Sequence, residues 1–174
     1  MNKKVWCPII IAGMILSLSI TAFAQEEKVW NDERIGIKID TLERTDSYPN
    51  ELRRPGYRYK SPDNGEDYFV IKITITYIRN IHLGMPSQDD KLFLFDIKGK
   101  EYEMLNVQYK GVDFKAGLTG EEYEIVEGAT GIMLFKIPEN IEPAKLMFAY
   151  PYWESWEEKN IKHGNIEIDL LKHY

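Results

Sequence analysis

DYFVIKITITYIRN (67–80) sets the fold class. Phe69, Ile71, Ile73, Ile75 and Tyr77 fall on one side of an extended chain, and Lys72, Thr74 and Thr76 fall on the other. A period of two with β-branched residues suits a pleated strand with one buried face. The same alternation recurs on both sides of this stretch. In RIGIKIDTL (34–42) Ile35, Ile37 and Ile39 oppose Lys38 and Asp40, and in NIEIDL (165–170) Ile166, Ile168 and Leu170 share a face. KLFLFDI (91–97) and EYEML (101–105) flank Lys98-Gly99, a hairpin-type turn. GIMLFKIP (131–138) ends at Pro138, which cannot donate to a ladder, and AKLMFAY (144–150) follows a short turn containing Pro143.

About seven or more strands with turn signals between them, and no sustained 3.6-residue apolar period, predict an all-β fold. The expected architecture is a two-sheet antiparallel sandwich, with an open barrel as the alternative. SWEEKNIKH (155–163) has room for a helical turn or two at most.

The first 24 residues read as an export signal. Lys3 and Lys4 precede the apolar run PIIIAGMILSLSI (8–20), and Ala22-Phe23-Ala24 offers a small-x-small cleavage site before Gln25. The apolar run of about 16 residues falls short of the ~20 that span a bilayer as a helix, which favours cleavage over a retained anchor. Cys7, the single cysteine, precedes the apolar run, so a lipoprotein-type attachment is not expected. The expected mature chain, 25–174, then has no thiol: no disulfide, no cysteine nucleophile and no cysteine-held zinc. Loss of two lysines leaves 20 basic against 28 acidic residues, a net −8, which disfavours nucleic acid and anionic membrane as partners. One domain of 150 residues, periplasmic or extracellular, is expected.

The pieces from YFVIKITITYI (68–78) through LFLFDIKGKEYE (92–103) to EGATGIMLFKIPENIEPAKLMFAY (127–150) resemble a family of secreted bacterial immunoglobulin-like domains of unknown function, related in fold to the mycobacterial immunoprotective antigen. The first piece looks like that family's long central strand, ending near Asn80. The second has Asp96, Gly99 and Tyr102 at the usual spacing. The third resembles its Glu-Gly turn, Phe-x-x-Pro and Leu-x-x-x-Tyr run, with Gly128, Gly131, Phe135, Pro138, Leu146 and Tyr150. The resemblance spans roughly 33–170 and implies an immunoglobulin-like sandwich without implying an activity. Two departures stand out: many relatives carry a lipid-bearing cysteine after the apolar run, and the polar connection 43–66 is longer and more charged here.

That connection holds YPNELRRPGYRYK (48–60), the one locally basic stretch. Arginine and tyrosine are the types enriched at binding hot spots, and long loops are functional or mobile. Arg53, Arg54, Tyr57, Arg58 and Tyr59 are therefore the candidate partner contact, for a protein partner in the envelope or among secreted proteins; the alternative is a mobile crossover. Next to it, SPDNGED (61–67) offers Asp63, Asn64, Glu66 and Asp67 as oxygen donors for calcium, although Asn64-Gly65 also makes a plain turn and the EF-hand spacing is missing. AYPYWESWEE (149–158) suggests Tyr152, Trp153 and Trp156 as a flat platform for a carbohydrate or small ligand, against a reading as the cap of the core.

Catalytic supply is thin. His82, His163 and His173 are scattered without metal-ligand spacing, and Ser47, Ser61, Ser87 and Ser155 sit in no nucleophile elbow. The acids Glu121-Glu122 and Glu157-Glu158 read as solvated faces, and Asp89-Asp90 as a turn. The expectation is a non-enzymatic binding or adaptor module that needs no cofactor and no metal.

Overall fold

The computed structural model describes residues 28–79, 81–84, 92–114, 123–155 and 160–172, with backbone alone for 112–114 and 123–127. Among these residues the chain forms nine strands and no α-helix: β1 (Val29–Asn31), β2 (Ile35–Thr45), β3 (Glu66–Tyr77), β4 (His82–Gly84), β5 (Phe93–Asp96), β6 (Glu101–Phe114), β7 (Tyr123–Pro138), β8 (Pro143–Trp153) and β9 (Lys162–Asp169). No helix among them is long and apolar enough to cross a membrane. The fold is all-β and antiparallel throughout, as the alternation predicts. The connection 43–66 is shorter than expected, because Glu43, Arg44 and Thr45 belong to β2 and pair with Val70, Phe69 and Tyr68, while Glu66 opens β3. Lys162 and His163 of the expected helical turn are in β9, and 156–159 fall outside the described residues.

β3 and β7 form the spine. They pair without a break from Glu66↔Pro138 to Thr74↔Thr130. β2 and then β1 extend the sheet beyond β3, and β6, β5, β8 and β9 follow on the other side of β7. The short β4 bonds to β7 at Leu83↔Ile125 and to β8 at Leu83↔Tyr152. The sheet therefore folds over on itself and is stitched along both margins, a sandwich that is nearly a barrel. Inside it the alternating residues of facing strands meet: Ile35 and Ile37, Ile71 and Ile73, Met133 and Phe135, Leu146 and Phe148, Ile166 and Ile168 are all buried. The Glu127-Gly128 step, expected as a turn, lies within β7. Gly128 has φ 78° where the β6–β7 register shifts, so it makes a bulge rather than a reversal.

Two polar anchors tie the margins. Tyr150 is fully buried, and its hydroxyl donates to the Asp32 carboxylate, whose other oxygen accepts the N–H groups of Arg34 (2.6 Å) and Ile35 (3.0 Å). Burial, then the bond to Asp32, raises the Tyr150 pKa far above its ordinary value. This joins β8 to the β1–β2 turn across the sandwich. Gly164, opposite Tyr150 in β9, leaves room for that ring: a Cβ there would press into the phenol, 2.9 Å from Cε1 and closer still to Cζ and the hydroxyl. The second anchor is the hairpin between β5 and β6. Buried Asp96 accepts N–H bonds from Lys98 (2.8 Å) and Lys100 (2.9 Å) and the Tyr102 hydroxyl (3.2 Å). Burial pushes the Asp96 carboxyl up, but these three bonds outweigh it and hold the group below its ordinary value.

Gly164→Ala overpacks the site of a ring pinned at its far end. It is expected to cost about 1–3 kcal/mol, read as a lowered midpoint in chemical denaturation. For Asp96, a depressed folded pKa means the unfolded chain binds the proton more readily. Its contribution is present above the ordinary aspartate value and is lost as pH falls through the lower folded value. Asp96→Asn is expected to lower the melting temperature at neutral pH, and the gap to the wild type should narrow in acid. A gap independent of pH would overturn this assignment.

Candidate functional site

Residues 46–65 cross the outer face of the β3–β7 pair as an ordered strap. The reason lies in two runs of consecutive apolar residues, Tyr68-Phe69-Val70-Ile71 and Ile132-Met133-Leu134-Phe135. Phe69, Ile71, Met133 and Phe135 point into the sandwich, which leaves Tyr68, Val70, Ile132 and Leu134 outside it. Tyr48 and Leu52 come down onto that outer patch, with Tyr59 packed against it, and together they form a second small core. Pro49 starts a 3₁₀ turn (Asn50–Leu52), with Leu52 N–H on the Pro49 carbonyl at 3.2 Å, and the turn drives Leu52 inward to 3% exposure.

The three tyrosines hold the strap by ring and hydroxyl. Tyr48 stacks on Tyr59 with centroids 4.2 Å apart and meets Tyr68 edge-on at 5.6 Å. Each such pair contributes about 0.5–1.5 kcal/mol beyond its buried area. The Asn106 amide of β6 donates to the Tyr48 hydroxyl (2.6 Å), the Tyr68 hydroxyl donates to the Lys60 carbonyl (2.9 Å), and the Tyr59 hydroxyl accepts the Arg54 N–H (2.7 Å). Burial raises the Tyr68 pKa. Glu51 meets Lys72 of β3 at 2.8 Å, an ion pair that lowers the Glu51 pKa and raises that of Lys72. This bridge stands between two surface grooves: one of about 390 Å³ walled by Glu43, Thr45, Asn50 and Arg53, and one of about 240 Å³ floored by Ile132 and Gly131 and edged by Lys110 and Gln108.

From this base the strap projects a tight turn. Tyr57 N–H bonds to the Arg54 carbonyl at 3.3 Å, Pro55 takes the first corner, and Gly56 at φ 84° takes the second. This is a type II turn, which needs a positive φ at its second corner. Tyr57 stands at the tip, 69% exposed, with Arg53, Arg54 and Arg58 exposed around it. Arg53 is partly committed, since its Nε donates to the Tyr48 carbonyl at 3.2 Å. Elsewhere Arg34, Arg44, Lys72, Arg79, Lys136 and Lys145 all lie within 4.0 Å of a carboxylate. Among the described residues the guanidiniums of Arg54 and Arg58 have no such ion pair. Four of the five sequence-predicted contact residues thus gather on one exposed turn, while Tyr59 serves as packing beneath it. The supporting residues Tyr48, Leu52 and Asn106 were not singled out in the sequence; the paired apolar runs were the signal for them.

The other two candidates resolve differently. Asp63 and Glu66 converge on the Lys136 ammonium at 3.1 and 2.9 Å, and Asp67 meets Arg44 at 3.1 Å. The three acids weighed as calcium donors are thus engaged by cations of the neighbouring strands, and Asn64-Gly65 makes the turn, with Gly65 at φ 84°. No group of three or more His, Cys, Asp or Glu side chains suited to a metal gathers among the described residues. Tyr152 and Trp153 are each 5% exposed. Tyr152 lies beside Tyr150 (6.0 Å between centroids) and under the Arg34 guanidinium (4.6 Å), and Trp153 packs over Gly84. They extend the core, so they form no platform facing solvent; Trp156 is outside the described residues.

Comparison with known families finds no match, and comparison with curated proteins finds none either. Two solved structures are similar to the chain. One is a candidate lipoprotein of Bacillus subtilis, at 15% identity over 83% of this chain and 39% of that one, with a TM-score of 0.46. The other is an uncharacterized β-sandwich protein of Clostridium difficile, at 13% identity over 80% of this chain and 89% of that one, with a TM-score of 0.40. The chain spans about two fifths of the length of the first.

If the strap is held by its small core, Leu52→Ala should cost about 2–3 kcal/mol and speed amide exchange across 46–65 more than in the β8–β9 pair. Exchange unchanged in the strap would show that Leu52 does not hold it.

Proposed function

We propose that the protein is an exported, non-catalytic binding module that contacts another envelope or secreted protein through the tip of the strap. One observation carries the reading: Arg54, Tyr57 and Arg58 stand exposed on a turn whose base is anchored by stacked rings and hydrogen-bonded hydroxyls. A contact held in place before binding loses less conformational entropy on association, and a rigid tyrosine supplies contact area at low cost. The export signal read in residues 1–24 and the resemblance to secreted immunoglobulin-like domains support an extracytoplasmic setting for such a module.

The test is capture by crosslinking from envelope extract of the source organism, comparing wild type with the combined variant Arg54→Glu, Tyr57→Ala, Arg58→Glu. Arg53 is left intact because it bonds to the strap's own backbone. The variant is expected to lose the captured protein while its stability stays within about 0.5 kcal/mol of wild type, as for exposed positions generally. Equal capture by both proteins would refute the reading.

A further inference from the structure

Between the strap and β6 lies a notch of about 90 Å³ lined by Leu52, Arg53, Arg54, Asn106, Val107 and Gln108. We infer that this notch receives one carboxylate side chain of the partner, an aspartate or glutamate; the inference rests on the reading of the strap tip as the contact.

The lining decides the chemistry. None of the six residues is acidic, in a chain whose acids outnumber its bases 28 to 22. The nearest acid along the strap, Glu51, is committed to Lys72. Arg53 spends Nε on the Tyr48 carbonyl, which fixes its side chain along the strap and leaves its terminal nitrogens as donors. Arg54 keeps its whole guanidinium, because only its backbone is engaged, the N–H by the Tyr59 hydroxyl and the carbonyl by the Tyr57 N–H. Asn106 is locked by two bonds, its amide nitrogen on the Tyr48 hydroxyl and its oxygen on the Val107 N–H, so it stands as a fixed wall. Gln108 adds an amide at the far side. Two guanidiniums and an amide suit a planar carboxylate, which accepts paired N–H bonds. Leu52 is buried in the small core and Val107 packs against the main one, so the polar groups are what the notch offers an incoming side chain. The notch adjoins the tip, so an acidic segment seated there passes Tyr57 and Arg58 with its neighbouring residues.

The experiment titrates the isotope-labelled protein with N-acetyl hexaglutamate amide and follows the Arg53 and Arg54 side-chain signals and the Gln108 amide by NMR. Parallel titrations use tripolyphosphate and three variants, Arg54→Gln, Gln108→Leu and Lys98→Gln, the last removing one exposed charge from the distant β5–β6 hairpin. The expected result is movement of these signals with hexaglutamate, binding weakened about tenfold in Arg54→Gln, a smaller loss in Gln108→Leu, and none in Lys98→Gln. Unmoved signals, equal losses in Arg54→Gln and Lys98→Gln, or tighter binding of tripolyphosphate would each overturn the inference. If a partner is captured through the tip while hexaglutamate leaves the notch unmoved, the carboxylate assignment falls and the binding-module reading stands. If hexaglutamate binds as expected but no strap-dependent capture occurs, the reading of the tip falls and the notch remains a carboxylate site.

Discussion

The β3–β7 pair is the constraint on which the rest depends, because it is buried on both faces along half its length. A strand covered on one face alternates between apolar and polar; a strand covered on both reads as a continuous apolar run. Tyr68 to Ile71 and Ile132 to Phe135 are such runs, and the register that sets Val70 against Leu134 brings them side by side. Toward the other end of β3 the outer positions become polar, Lys72 paired with Glu51 at the strap's edge and then Thr74. The extent of the strap is therefore written into the outer face of one strand pair. A one-residue slip would turn Phe69 and Ile71 outward and Lys72 into the core, so the inner packing also fixes where the strap can sit.

This double burial turns a twenty-residue connection into a scaffold. A free loop of that length would lose much conformational entropy on gripping a partner. Tyr48, Leu52 and Tyr59 fix the strap at folding, so the proposed contact would lose less, and the Pro55-Gly56 turn sets the direction of the tip. Anchoring also sorts the residues of the basic stretch by role. Tyr48 and Tyr59 turn their rings inward, Arg53 is half committed, and Arg54, Tyr57 and Arg58 are left outward.

Most strands were legible because alternation is local and both halves of the folded-over sheet repeat it. So was the hairpin at Lys98-Gly99, a plain turn signal, whereas its Asp96 cap and the Tyr102 bond emerge only in the folded chain. What was not legible came from contacts distant in sequence. SPDNGED supplies oxygen donors, yet Lys136, some seventy residues away, reaches Asp63 and Glu66 only because Tyr68 pairs with Lys136 across β3 and β7. Tyr152 and Trp153 sit at a strand end, where an aromatic serves equally as core cap or ligand platform. The burying element, β4, is three residues long and has little alternation to show. Gly128 carries the positive φ of a turn glycine, but the strand continues through it, since a bulge and a reversal both ask for the same residue.

The charge arrangement follows from the same geometry. Several acids and bases on neighbouring strands pair across the sheet, as Lys145 does with Glu167 and Arg44 with Asp67. At the strap's tip the β6 residues beside Arg54, namely Asn106, Val107 and Gln108, carry no carboxylate, and Arg58 stands exposed. A positive point on an otherwise acidic molecule orients an incoming acidic partner before contact, an effect that acts on the association rate and weakens with salt. Tyr57, standing between the arginines, contributes contact area that salt does not screen. In the proposed contact, approach and retention would rest on different side chains of one turn, and both would depend on the apolar patch beneath it, formed by Tyr68, Val70, Ile132 and Leu134 on the outer face of β3 and β7.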